Sequence, residues 1–157
     1  MMDSDPVVPA PGQTLPGSFA VRVRVRSEHT NDVLAVIEET VPPGVLIPPH
    51  THANDVWVKV EEGEIGVLVG EEIRTAVEGE WALKPRSVLH AMWNPTSRPA
   101  RVTEILTPAG SERWFEELAE LADGDDAGFA RACERYSIRF SDDESLAARL
   151  RRDFDLK

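Results

Sequence analysis

Residues 44–63 read GVLIPPHTHANDVWVKVEEG, and this stretch decides the fold. It opens on Gly44, passes Pro48-Pro49, and reaches His50-Thr51-His52 before the alternation Val56, Val58, Val60, with Trp57 and Lys59 between them. Alternation with period two is the pattern of a strand with one buried face, and Gly63 supplies the turn that ends it. His50 and His52 stand two apart, so an extended backbone projects both imidazoles to the same side. Two neutral imidazoles on one side of a strand suit a shared transition metal.

A second stretch, GEWALKPRSVLHAMWN at residues 79–94, repeats the grammar: a glycine, a short apolar strand, a Pro85-Arg86-Ser87 turn, then a strand carrying His90. His90 can meet His50 and His52 only if the sheet curls. Around these two stretches the same alternation predicts strands at Val21–Val25, Val33–Val41, Val56–Val60, Ile65–Val69, Ile73–Val77, Trp81–Leu83, Val88–Trp93 and Arg101–Leu106. Glycine, proline and asparagine separate them, and Asn94-Pro95 reads as a turn rather than a ligand. Many short strands at even spacing predict an all-β sandwich or barrel, which removes or folds over the exposed sheet edges.

From Ser111 the period changes to that of helices. Ser111 is placed to cap a helix carrying Trp114, Phe115, Leu118 and Leu121, stopped by Gly124. Phe129, Cys133 and Tyr136 fall at helical spacing, and Ser141 with Glu144 forms a capping-box pair ahead of Leu146, Leu150 and Phe154. The expected organisation is a flexible arm at 1–17, a β-domain at 18–110, and a helical extension at 111–157 that packs on the barrel or on a second subunit.

The 157 residues suffice for one domain with a real core. A net charge of -11 argues against nucleic acid, whose phosphates need clustered Lys and Arg, and gives no support to docking on an anionic membrane. Met1–Ser18 has no basic start followed by an apolar run, so a secretory leader is not expected and the cytoplasm is the default location. Cys133 is the single cysteine, which excludes an intrachain disulfide framework.

Gly44, five residues, His50-Thr51-His52 and then Gly63 resemble the first motif of the cupin superfamily. Gly79, five residues, Pro85-Arg86-Ser87, His90 and Asn94 resemble its second. The resemblance spans about Val33 to Pro108 and implies a double-stranded β-barrel of jelly-roll type with a short C-terminal helical tail. It also implies one divalent transition metal (Fe, Ni, Mn, Zn or Cu) held by His50, His52 and His90. Two positions depart from the family pattern. Ser87 stands where a glycine is usual, and Val56 stands where a glutamate ligand is usual. Asp55, one residue away, and Glu104, on the last barrel strand, are the candidate replacement carboxylates. Thr107-Pro108-Ala109-Gly110 followed by Trp114-Phe115-Glu116-Glu117-Leu118 looks like small single-barrel cupins related to the quercetin 2,3-dioxygenase type. That resemblance implies an aromatic or polyketide-like substrate and dioxygen insertion. Thiol dioxygenases of the superfamily offer the precedent for a three-histidine site.

The expected function is therefore a metal-binding cupin acting on a small organic molecule, most simply as a dioxygenase-type oxidoreductase. Val56 cannot accept a proton, so the flavonol enzymes' use of the metal-site glutamate as a base does not carry over. The alternatives are a metal-dependent isomerase or cyclase, and a small-molecule-binding cupin without catalysis. Val56, Val58, Val60, Trp81 and Met92 are the expected lining of an apolar pocket. A homodimer is expected, with Trp57, Trp81 or Trp93 either anchoring it or filling the barrel's own core.

Overall fold

The computed structural model describes Thr14–Leu15 and residues 20–157. Strands β1 (Thr14–Leu15), β2 (Ala20–Val25) and β3 (Ala35–Val41) precede the first histidine motif, which lies on β4 (Leu46–Thr51) and the turn after it. β5 (Asp55–Glu62), β6 (Glu64–Val69), β7 (Glu72–Val77), β8 (Trp81–Lys84), β9 (His90–Trp93) and β10 (Ala100–Thr107) follow. The chain then forms α1 (Glu112–Glu120), α2 (Asp126–Arg135), a two-residue β11 (Arg139–Phe140) and α3 (Glu144–Asp153). No helix among the described residues is long and apolar enough to cross a membrane.

The strands form two antiparallel sheets, ordered β1-β2-β3-β10-β5-β8 and β11-β4-β9-β6-β7. Their inner faces share one core: Val21, Ile37, Val58, Val60 and Val102 from the first sheet meet Ile65, Val67 and Met92 from the second. This is the double-stranded, jelly-roll arrangement of the β-domain, built as two facing sheets, with a helical tail behind it. Of the arm expected at 1–17, Thr14–Leu15 pair with β2 and the rest lies outside the described residues.

α3 packs on the outer side of the second sheet, where Leu150 joins Leu46, Leu68, Ala91 and Trp93, flanked by Leu146 and Phe154. Trp93 is 1% exposed and stacks on Phe154 at 4.7 Å, so it fills this core, while Trp57 and Trp81 remain 43% and 50% exposed. Gly66 lies opposite Trp93, and a Cβ there would stand 2.1 Å from the indole, which only glycine tolerates.

Several local expectations are corrected. β3 starts at Ala35 rather than Val33 because Asn31 and Asp32 take left-handed backbone and the Thr30 hydroxyl bonds with Leu34, lengthening the turn. The Ser111 hydroxyl accepts from Asn54 instead of capping α1. The buried Glu112 carboxylate takes the Ser27 and Gly110 amides, pinning the start of α1 to the barrel. α3 is capped by Asp143, whose carboxylate receives the Ser145 and Leu146 amides, while the Ser141 hydroxyl serves the Asp143 amide. The extension also gives a strand back to the barrel, since β11 pairs with β4 and sets Phe140 opposite His50.

Candidate metal centre

β4 and β9 create the site. Their pairing runs Leu46 with Trp93 and Ile47 with Met92, then slips by one residue before His50 meets His90. Pro48 and Pro49 occupy the slip, where the missing amide hydrogens make a regular ladder impossible. The slip leaves His50 and His90 directly across from each other, with ring centroids 4.3 Å apart, and His52 lies 4.4 Å from His90. The Ser87 amide donates to the His52 carbonyl, tying the second motif's turn to the first motif.

Each ring is oriented by its Nδ1. His50 Nδ1 lies 2.7 Å from the Pro48 carbonyl, His52 Nδ1 2.7 Å from that of Asn54, and His90 Nδ1 2.9 Å from that of Val88. A carbonyl only accepts, so each Nδ1 carries the hydrogen and each neutral ring presents a bare lone pair on Nε2. The His50 and His90 Nε2 atoms are 3.1 Å apart, and His52 Nε2 is buried without a hydrogen-bond partner among the described residues. One ligand atom from each of the three histidines falls within 4.8 Å of the others. Burial pushes His50 and His52 down to about 4 and His90 to about 2; the Lys84 charge adds to the effect at all three, and neighbouring imidazoles add to it at His50 and His90. At neutral pH the three rings are uncharged donors aimed at one point. Converging lone pairs repel unless a cation lies between them, so this donor set fits a single transition metal. Backbone carbonyls fix the rings from behind, as outer-sphere partners of metal-bound histidines do.

Among the described residues the group holds no carboxylate. Asp55 points away, bound by the Arg86 amide and guanidinium, because one residue of offset along a strand reverses the side chain. Glu104 faces inward but is engaged elsewhere: its Oε1 accepts from Lys84 Nζ at 2.6 Å, with both side chains almost wholly buried. Glu39 is 4% exposed beside them. Burial, reinforced by the Glu104 charge, raises its carboxyl to about 8 against the opposing pull of Lys84.

A cavity of about 720 Å³ joins these groups, lined by His50, His52, Val56, Glu39, Lys84 and Glu104 within the barrel. Its other walls are Trp114, Phe115 and Leu118 of α1, Phe129 of α2 and Phe140 of β11. The volume falls in the range of small-molecule sites. Of the pocket residues expected from the sequence, Val56 lines this cavity. Val58, Val60 and Met92 are instead packed into the core between the sheets, since they stand deeper in the barrel, and Trp81 projects outward from β8 at 50% exposure. The aromatic wall comes from the C-terminal extension.

Glu39 and Lys84 were not legible as site residues from motif spacing. Their signal was parity: Glu39 shares the inward register of Ala35, Ile37 and Val41, and Lys84 that of Ala82. A charged residue on an inward, apolar register marks an interior polar group.

Comparison with known proteins places the fold in context. Residues 37–106 match the family model described as "Cupin domain". A mannose-1-phosphate guanylyltransferase from Salmonella muenchen is 33% identical over 79 residues, which are 49% of this chain and 16% of that protein. Among solved structures, KdgF from Halomonas sp. aligns with a TM-score of 0.57 at 16% identity, covering 66% of this chain and 91% of that one. The polyketide cyclase RemF from Streptomyces resistomycificus aligns with a TM-score of 0.52 at 20% identity, covering 68% and 79%. At these identities the structural likeness concerns the fold.

Proposed function

Starting from a chain that belongs to the cupin superfamily, we propose that it is a metal-dependent enzyme in which His50, His52 and His90 hold one divalent transition ion. Its substrate is an aromatic or polyketide-like molecule with adjacent oxygens, and the reaction is of the dioxygenase type. The observation that carries this reading is the convergence of three bare Nε2 lone pairs behind three Nδ1–carbonyl hydrogen bonds. A bound ion of this kind polarises substrate oxygens or binds dioxygen.

The chain's own residues supply the rest. Phe140, 5.4 Å from the His50 ring, and the α1 and α2 aromatics offer flat apolar surface to a planar body and exclude water from the imidazoles. Lys84 and Glu104 on the opposite sheet confront the polar end of the molecule.

The test is elemental analysis of protein from cells supplied with Fe, Ni, Mn, Zn and Cu, followed by oxygen uptake with a flavonol and catechol panel. Near-stoichiometric metal, lost in His50→Ala and His90→Ala, together with substrate-dependent oxygen consumption is expected. Protein that stays metal-free refutes the reading. A second reading, an isomerase or cyclase, is favoured by the all-neutral donor set, which leaves an ion's full charge for polarising a carbonyl. It predicts turnover of a polyketide-like substrate without oxygen.

A further inference from the structure

The two walls of the cavity are chemically unlike. The imidazoles belong to β4, β9 and the turn after β4, in one sheet, while Glu39 (β3), Glu104 (β10) and Lys84 (β8) belong to the other. Lys84 reaches its partner by crossing β5: it is the cross-strand neighbour of Val56, and Glu104 is that of Val58. Two valines leave the space its stem occupies. The outcome is a carboxylate held inside the barrel on the sheet opposite the imidazoles, lining the same cavity.

We propose that Glu104 is the proton acceptor for the cavity's ligand and that Lys84 then stabilises the ligand anion. This inference rests on the metal-site reading above and adds the base which that site lacks. A phenolic or enolic ligand balances a cation best after losing a proton, and the cavity offers few acceptors. The Nδ1 atoms already carry hydrogen, and the Nε2 atoms face the metal position. Glu104, not Glu39, is the carboxylate that pairs with Lys84, and burial beside Glu104 raises the Glu39 carboxyl. At the mouth, Asp125 is committed to the Gly128 amide as the cap of α2, and Asp123 and Asp126 lie at the solvent edge. Glu104 remains. In the step the ligand's O–H bond breaks and an O–H bond forms on Glu104. The ligand oxygen keeps the electron pair, and Lys84, relieved of its carboxylate partner, faces the new anion. No redox partner is needed.

The probe is 4-nitrocatechol, whose visible spectrum changes on deprotonation, with the protein loaded with zinc, which adds no colour. Titration calorimetry in buffers of different ionisation enthalpy counts the protons released. Wild type should bind the deprotonated probe while releasing fewer protons to buffer than the spectrum shows lost, because one stays on Glu104. Glu104→Gln should keep its zinc, release one proton more per site, and bind about tenfold more weakly, the scale of one charge-assisted hydrogen bond. If Glu104→Gln does not fold, Glu104→Gln/Lys84→Met restores a neutral interior and should show the same extra proton. Unchanged proton release in the variant overturns the proposal, as does failure of wild type to bind the probe. Loss of zinc in Glu104→Gln also overturns it, by making Glu104 a ligand. Failure of wild type to take up zinc, with no difference from His90→Ala, instead sinks the metal-site reading on which the proposal stands.

Discussion

Replacing Glu39 by glutamine should stabilise the fold in a strongly pH-dependent way. Glu39 is 4% exposed, and burial raises its carboxyl from 4.5 to about 8. The folded state therefore binds a proton that the unfolded chain releases between those values, and stability must fall as pH rises through that window. At 1.36 kcal/mol per tenfold change, the whole shift corresponds to at most about 5 kcal/mol, of which about 3 kcal/mol is already spent at pH 7. These are upper limits, because the interior admits water and relaxes as the carboxylate forms. Glutamine has the shape of the protonated carboxyl and cannot ionise. The variant should match wild type near pH 4.5 and exceed it by roughly 2–4 kcal/mol at pH 8.5, on the order of 5–15 °C in Tm for a chain of this size. Urea melts of chelator-treated protein at both pH values measure the difference directly. An equal gain at both would show that Glu39 ionises freely in the folded state and would remove the reasoning that sets it apart from Glu104.

Gly66→Ala forces a Cβ to within 2.1 Å of Trp93, and overpacking of this kind costs about 1–3 kcal/mol or more. A denaturation midpoint equal to wild type would mean that Trp93 is free to move. Ser87 adopts a left-handed φ of 60° at the position where the family motif usually has glycine, so Ser87→Gly should stabilise by about 1 kcal/mol by removing the Cβ conflict. It should leave metal content unchanged, since the backbone bond from its amide to His52 remains. Loss of stability in this variant would show that the serine hydroxyl, rather than the turn, carries the position.

The barrel and its histidines were legible because both write a local pattern. Val56, Val58 and Val60 alternate within one strand, and His50-Thr51-His52 shows its same-face geometry within three residues. The prolines at 48 and 49 marked an irregularity, but not its consequence: a one-residue slip between β4 and β9 depends on which strand lies alongside. The cavity's aromatic wall was hidden for a related reason. Trp114, Phe115 and Phe129 read as an ordinary packing stripe, and only the return of β11 to β4 fixes the extension over the barrel's open end. Ser111 and Ser141 do not cap the helices their spacing suggests, because a hydroxyl's partner is chosen by what else is near, here Asn54 and the Asp143 amide.

Val56 ties these observations together. A glutamate there would lie beside Lys84 on the neighbouring strand, and two carboxylates would then compete for a single buried cation. With valine, Lys84 extends over β5 to Glu104, and the wall facing the imidazoles carries its negative charge on β10 rather than at position 56. Separation has a chemical consequence. A carboxylate paired with an ammonium group rather than with the ion can take a proton from the ligand without loosening the ion's hold. The missing ligand and the buried ion pair are thus two sides of one rearrangement, in which the interior keeps an anion but frees it for proton transfer.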